Sequence, residues 1–173
     1  MKINKLKLNN FRSAKSSVFD FSKQLNLFIG VNGSGKSTIL NALSISLSWL
    51  VKWIEQENAN GFDIPDSSLS INQENGYLEL YISAENTSWQ WLLTKTARGK
   101  TPVLDSSFDD VDKLAEIIRE KYKQQFSWPV IVYYPVNRMV NNITPDFPDK
   151  DSIYNLDVFE NVLDGTANYQ SFF

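Results

Sequence analysis

Apolar and polar residues alternate in two stretches of the chain, and this pattern predicts strands with one buried face. Leu6 and Leu8 alternate with lysine and asparagine within residues 3–11, and residues 77–84 alternate over their whole length. Residues 18–21 and 89–96 predict two further strands. The connection over residues 85–88 is too short for a parallel crossover, which needs a dozen or more residues, so it predicts antiparallel neighbours.

Two runs are apolar with little alternation and predict buried strands. The first covers residues 25–29, is expected to be buried on both faces, and leads directly into a glycine-rich segment. The second covers residues 129–134 and is stopped by Pro135, which cannot donate a backbone hydrogen bond.

The apolar period changes to three or four residues after Thr38, which predicts an amphipathic helix ending near Glu57. Its apolar positions are Ile39, Leu40, Leu43, Leu47, Leu50, Val51 and Ile54. Residues 58–68 are predicted to be a loop. A second helix is predicted from Asp109, and the acids in its first turn favour the helix dipole rather than indicate a metal site. We predict a first domain over residues 1–140 and, over residues 141–173, the start of a helical insertion that is cut off.

The composition is that of a folded domain of ordinary size, with 173 residues, 42% of them hydrophobic and 21% charged. Cysteine and histidine are absent, which excludes disulfides, thiolate nucleophiles, Cys/His zinc sites and imidazole acid–base catalysis. The first residues lack the apolar stretch of a signal peptide, and no run of 18 apolar residues occurs. We expect a cytoplasmic protein with no membrane partner.

Basic residues are concentrated near the amino terminus, although the net charge of the chain is only −3. Against one acid, Asp20, residues 1–29 contain the basic side chains Lys2, Lys5, Lys7, Arg12, Lys15 and Lys23. Such a surface could attract the phosphates of a nucleotide or of a nucleic acid. The same lysines would equally well protect a solvated edge strand.

The strongest chemical signal is a match to G-x-x-x-x-G-K-[ST] at every fixed position, in Gly30-Val31-Asn32-Gly33-Ser34-Gly35-Lys36-Ser37. A predicted strand precedes this segment and a predicted helix follows it, as phosphate binding by such a loop requires. Its glycines let backbone amides approach phosphates closely. We name residues 30–37 the phosphate loop and predict that it binds a nucleotide.

The side chains of the phosphate loop have predicted roles. Lys36 supplies a positive charge for the β- and γ-phosphates, and the Ser37 hydroxyl is placed to ligate Mg²⁺. Thr38 would reach the α-phosphate. The other predicted binding positions are Asn32, Gly33, Ser34 and Gly35. The alternative interpretation is a glycine-rich turn with a solvated lysine.

A guanine nucleotide is disfavoured by the sequence. The residues Asn4-Lys5 are followed by Leu6-Lys7 rather than by the rest of an Asn-Lys-x-Asp element, and no glycine has an aspartate three positions before it. A small-molecule kinase is compatible with the length, but such enzymes usually begin with the strand that precedes the phosphate loop. Here two strands come first and an antiparallel pair follows the helix.

This arrangement resembles the amino-terminal half of the ABC-type ATPases related to the SMC, RecF and OLD proteins. The likeness rests on Asn10-Phe11-Arg12 and on Asn32-Gly33-Ser34-Gly35-Lys36-Ser37-Thr38. Residues 132–138 and 168–173 are similar to the stand-alone AAA-family ATPases of bacterial antiphage systems, of the Septu and retron-associated kind. The implied fold is α/β, the first part of an ABC-ATPase head, in which an antiparallel sheet accompanies the strand–helix core.

The resemblance also bears on residues outside the phosphate loop. It implies that Arg12 contacts a phosphate of the nucleotide, against the alternative of an exposed loop arginine. The family's glutamine that contacts Mg²⁺ and the attacking water is missing, because Asn137 and Arg138 stand at that place. Trp89 and Trp91 share a strand face and could stack on a base, although packing within the sheet is the simpler interpretation.

The hydrolytic elements of the family do not occur in these 173 residues, which contain neither an apolar strand ending in Asp-Glu nor a Ser-Gly-Gly signature. We therefore identify no catalytic residue and expect a truncated chain. The resemblance implies two copies that clamp Mg²⁺ and ATP and control an HNH-type nuclease, with a reverse transcriptase and its RNA–DNA product as further partners. The alternatives are an ATP-gated scaffold that restrains a toxic partner with little hydrolysis, and a small-molecule kinase.

Overall fold

A computed structural model of the chain describes residues 1–125 and 129–134. The chain divides into two compact units, residues 1–128 and 129–173, and each is described by itself. The predictions for residues 135–173, including those for Asn137 and Arg138, lie outside the described residues.

The first unit contains a four-stranded antiparallel sheet with the strand order β2-β1-β3-β4. Its strands are β1 (Lys2–Phe11), β2 (Ala14–Asp20), β3 (Asn75–Ala84) and β4 (Thr87–Thr96). The turn between β3 and β4 consists of Glu85 and Asn86, whose φ angles of 53° and 59° suit the twist of a two-residue hairpin. The four strands predicted at residues 3–11, 18–21, 77–84 and 89–96 are confirmed, and so is the antiparallel connection between the last two.

Two long helices accompany the sheet, α1 (Lys36–Glu55) and α2 (Asp109–Gln125), together with a short 3-10 helix (Asp66–Ser68). Helix α1 packs against β3 and α2, and α2 packs against β4. The first turn of α2 carries three aspartates, and Asp110 accepts a hydrogen bond of 2.9 Å from the Gln90 amide. No group of three metal-binding side chains occurs among the described residues. The predicted helix from Asp109 and the α/β class are confirmed.

The core lies between one face of the sheet and the two helices. The sheet contributes Leu6, Leu8, Leu78, Leu80, Ile82, Trp91 and Leu93, and the helices contribute Ala42, Leu50, Ile54, Val111, Leu114 and Ala115. Burial of a leucine or isoleucine side chain stabilises the fold by about 1.5–3 kcal/mol, so these residues supply most of the stability of the unit.

The two tryptophans of β4 are packing residues, and the base-stacking alternative for them is wrong. Trp89 is 9% exposed and Trp91 is 2% exposed. The indole N–H of Trp89 donates to the Ala84 carbonyl at 3.1 Å, and that of Trp91 donates to the Ser46 carbonyl of α1 at 2.9 Å. Because both rings are enclosed and both donors are used, neither can receive a nucleobase.

Helix α1 is the one helix in the described ranges that is long and apolar enough to cross a bilayer. However, 67% of its most apolar 18-residue window is buried inside the protein. Its apolar side chains are therefore those of a core helix.

Two predicted strands are wrong. Residues 25–29 form no strand, and Leu25, Leu27 and Ile29 are 76–86% exposed. Residues 129–134, in the second unit, also lack strand structure, and Val130 is 88% exposed. A strand requires a hydrogen-bonded neighbour, and no described strand pairs with either run. Apolar composition alone was not enough to create one.

The basic amino-terminal strand is an inner strand, which corrects the edge-strand interpretation of its lysines. Strand β1 pairs with β2 on one side and with β3 on the other. Lys5 lies 3.5 Å from Asp20, and Lys7 lies 3.0 Å from Glu79. Hydrogen bonds to Tyr81 and Glu79 raise the pKa of Lys7 above its ordinary value. These two charges are neutralised within the sheet.

Candidate phosphate-binding site

Glycine is favoured at three positions of the phosphate loop, at two by backbone conformation and at one by lack of space. Gly33 and Gly35 have φ angles of 84° and 93°, which are strained for residues with a side chain. At Gly30 the reason is space, because an added Cβ would lie 2.5 Å from Ser34 Oγ. The loop therefore folds back tightly on itself just before α1 begins at Lys36.

The amino terminus of α1 is open to a ligand. Gly35 is its N-cap, no side chain caps the helix, and the first turn contains no acid. The first amides of a helix lack intrahelical acceptors and carry a partial positive charge. An uncapped terminus after a glycine loop is the geometry that binds phosphate through backbone N–H groups.

The side chain of Lys36 turns back over the loop. Its ammonium group donates to the carbonyls of Gly30 and Val31, at 2.8 Å each, and lies 3.5 Å from Ser34 Oγ. These neutral acceptors form weaker hydrogen bonds with a cation than phosphate oxygens do. The ammonium group is thus already held at the loop and can exchange its carbonyls for a phosphate.

The hydroxyls that follow Lys36 differ in exposure. Ser37 is exposed, so its oxygen is accessible to a cation near the helix terminus, whereas Thr38 is 9% exposed. Magnesium prefers oxygen ligands and keeps several waters, so one hydroxyl together with phosphate oxygens is a donor set that suits it. Ser37 is thus accessible to Mg²⁺, and its role as a ligand stays a prediction. Asn32 and Ser34 are also exposed on the loop.

Arg12 lies apart from the loop sequence, in the turn between β1 and β2. It is exposed, has a φ of 53°, and its guanidinium carbon lies 5.7 Å from the centre of the Phe11 ring. No hydrogen bond or ion pair links Arg12 to the phosphate loop within residues 1–125 and 129–134. The contact of Arg12 with a phosphate stays a prediction.

No local sequence pattern indicates the residues that hold the Arg12 backbone. The Arg12 amide donates to the Ser68 carbonyl at 2.7 Å, and Ser70 Oγ donates to the Arg12 carbonyl at 2.7 Å. Serines in a polar loop form no local pattern, and the Ser70 bond joins residues 58 positions apart. Only the folded chain brings these residues together.

Comparisons with known proteins indicate the family of the chain. A family model described as an AAA domain matches residues 5–171. The chain is 31% identical over 163 residues to the retron Vc95 probable ATPase of Vibrio cholerae, covering 87% of this chain and 32% of that protein. It is 24% identical over 183 residues to the retron Ec83 probable ATPase of Escherichia coli, covering 100% of this chain and 34% of that protein.

A shorter match of 52 residues, 50% identical, links the chain to the DNA double-strand break repair Rad50 ATPase of Pyrococcus abyssi, covering 30% of this chain and 6% of that protein. The chain spans about a third of the length of the two retron relatives. Because the AAA-domain model covers nearly the whole chain, the chain belongs to the AAA-domain family. The matches to the retron ATPases and to Rad50 support the predicted resemblance to ABC-type, SMC-like ATPases.

Proposed function

We propose that the chain binds Mg²⁺ and ATP at the phosphate loop, as the ATP-binding part of an ABC-type, SMC-like ATPase in the cytoplasm. The observation that carries the proposal is the uncapped amino terminus of α1, with the Lys36 ammonium group held over the loop beside it. Free amides and a lysine at one point are complementary to a polyphosphate.

The residues of the site would divide the work of binding. The amides of residues 33–37 hold the α- and β-phosphates, and Lys36 transfers its hydrogen bonds from the loop carbonyls to the β- and γ-phosphates. Ser37 ligates Mg²⁺, which when bound neutralises charge on the phosphates. Arg12 supplies a second positive charge from the sheet, where its guanidinium contacts a phosphate oxygen.

We further propose that two copies close around ATP and that this closure controls a nuclease effector in antiphage defence. Residues 31–34 are exposed, which leaves room for a second protein surface over the bound phosphates. The similarity to two probable ATPases named for retrons supports a role in such a system, with a reverse transcriptase and its RNA–DNA product as further partners.

The variant Lys36→Ala tests the binding site. We expect its affinity for ATP in the presence of Mg²⁺ to fall about 100-fold, because charge-assisted hydrogen bonds to phosphate are lost. Isothermal titration calorimetry on the full-length protein measures the affinity, and sedimentation with and without ATP measures self-association. The variant should also lose ATP-dependent dimerisation.

Lys52→Ala is the matched control, because Lys52 is on the same helix and pairs with Glu55 at 2.7 Å, far from the loop. It should bind ATP as the unchanged protein does. Full ATP affinity in Lys36→Ala would disprove the assignment of the loop. The unchanged protein could also bind ATP with normal affinity and form no dimer. That result would disprove the closure of two copies and would not affect the assignment of the loop.

A further inference from the structure

The turn that carries Arg12 is held in an unusual conformation. Asn10 and Arg12 both have left-handed backbones, with φ angles of 50° and 53°, and Phe11 between them is only 1% exposed. Asparagine adopts this conformation more readily than most residues, whereas arginine adopts it mainly where a turn or neighbouring contacts hold it. Arg12 lies in the two-residue hairpin turn between the paired residues Phe11 and Ala14, which itself favours a left-handed backbone. The neighbouring segment, residues 66–70, adds hydrogen bonds that hold this turn.

Residues 66–70 use both backbone polar groups of Arg12. The Arg12 amide donates to Ser68, and the Arg12 carbonyl accepts from the hydroxyl of Ser70, each at 2.7 Å. The amide of Ser70 also donates to the Asn10 carbonyl at 2.9 Å. Leu69 forms a β-bridge with Phe11. We name residues 66–70 the clamp, because they hold the turn at its middle and on both sides.

The clamp is itself fixed to the sheet. Lys95 of β4 forms an ion pair with Asp66 at 2.5 Å. Gly76 of β3 allows Leu69 to approach, because a Cβ added there would lie 2.9 Å from Leu69 Cδ2. The position of the Arg12 backbone is therefore coupled to two strands that are distant in sequence.

The guanidinium group of Arg12, in contrast, is left available. It is exposed, and it lies 5.7 Å from the centre of the Phe11 ring. No carboxylate pairs with it in the part of the chain that the structure describes. A fixed backbone that carries an available guanidinium reduces the conformational freedom lost when an anion binds.

We propose that the clamp presets Arg12 for the phosphates of the bound nucleotide, with Ser70 as the positioning residue. This inference rests on the proposed function, because it assumes that Arg12 contacts a phosphate. Ser70 itself does not touch the nucleotide. It acts through the carbonyl of Arg12, so its contribution to binding exists only when the Arg12 side chain is present.

The test compares Ser70→Ala, Ser70→Thr, Arg12→Ala and the double variant Arg12→Ala/Ser70→Ala in the full-length protein. Titration calorimetry with Mg²⁺ and a non-hydrolysable ATP analogue measures affinity. We expect Ser70→Ala to weaken binding about 3- to 10-fold, as the loss of one hydrogen bond predicts, and Ser70→Thr to restore it. In the Arg12→Ala background, Ser70→Ala should change nothing further.

Ser67→Ala is the matched control, since Ser67 is an exposed serine of the clamp, and the hydrogen bonds between the clamp and the turn involve Ser68 and Ser70. The clamp is disproved if Ser70→Ala lowers the melting temperature and leaves nucleotide affinity unchanged. It is also disproved if Ser70→Ala weakens binding equally with and without Arg12. Either result leaves the phosphate-loop assignment standing, because that assignment fails only if Lys36→Ala keeps full affinity.

Discussion

The sheet and the segment leading to the phosphate loop contain similarly apolar sequence and bury it very differently. In β3, Leu78, Leu80 and Ile82 are completely buried, whereas Leu27 and Ile29 are 76% and 86% exposed. Strand β3 has a neighbour on each side, and residues 27–29 form no backbone hydrogen bond with any described residue. A hydrophobic pattern thus indicates which side chains a strand would bury. Whether the segment forms a strand depends on the presence of a neighbouring strand that pairs with it.

The same contrast separates the hydrogen-bonded sheet from the segment that we predict to bind a nucleotide. The left-handed backbone of Arg12 in the sheet region is held by hydrogen bonds from a distant segment. In the phosphate loop, Gly33 and Gly35 adopt such angles because they have no side chain, and the loop leads into the uncapped amino terminus of α1. Binding groups placed on an open loop next to a fixed sheet are a common arrangement in functional sites.

The largest expected difference between the regions is in side-chain burial. Trp91→Ala should lower the free energy of unfolding by about 3–5 kcal/mol, because it creates a cavity between the sheet and α1. Ile29→Ala, the corresponding change in the exposed residues 25–29, should alter the free energy of unfolding by less than about 0.5 kcal/mol. Urea denaturation of the 173-residue chain measures both. If Ile29→Ala lowered the free energy of unfolding as much as Trp91→Ala does, Ile29 would be buried, and the proposed difference between the two regions would be wrong.

Two glycines, one in the sheet and one in the phosphate loop, should differ in their effect on stability by an intermediate amount. Gly76→Ala should destabilise the chain by about 1–3 kcal/mol, because the new Cβ would lie 2.9 Å from both the Asn9 carbonyl oxygen and Leu69 Cδ2. Gly33→Ala meets no atom within 4 Å and carries only the strain of its φ of 84°, about 1 kcal/mol. Thermal unfolding of both variants is the measurement. A larger loss for Gly33→Ala would contradict the assignment of an open loop.

The smallest expected effect concerns the ion pair that anchors the clamp. The hydrogen bond from Lys95 holds the pKa of Asp66 below its ordinary value. The stabilisation by this pair is therefore present above the unfolded-state pKa, about 3.9, and is lost as the pH falls through the lower folded-state pKa. Asp66→Asn should be slightly less stable than the unchanged chain at pH 6, since exposed pairs contribute little.

The measurement for this pair is the melting temperature between pH 2 and pH 7. The difference between Asp66→Asn and the unchanged chain should shrink to zero at the acid end. Asp63→Asn serves as the control for removing an exposed acid from the same loop. If the deficit of Asp66→Asn persisted at pH 2, the effect would be one of side-chain shape rather than of charge.

The elements with a strict local pattern were predictable from the sequence. Strands β1 and β3, helix α1 and the phosphate loop follow from side-chain period and glycine spacing, which are set within a few residues. The runs at residues 25–29 and 129–134 were predicted wrongly because pairing is a property of two segments. The clamp could not be predicted, since Ser68 and Ser70 acquire their role only through contacts with a turn more than fifty positions away.

The long connection between β1 and β3 has a consequence for how the protein is made. These strands are neighbours, with Asn9 opposite Tyr77, and the phosphate loop lies in the chain between them. During synthesis on the ribosome, β1 cannot pair with β3 until residues 75–84 have been made. Pairing between strands so distant in sequence forms slowly. A nascent chain that stops before β3 would contain the entire phosphate-binding motif without the sheet that supports it.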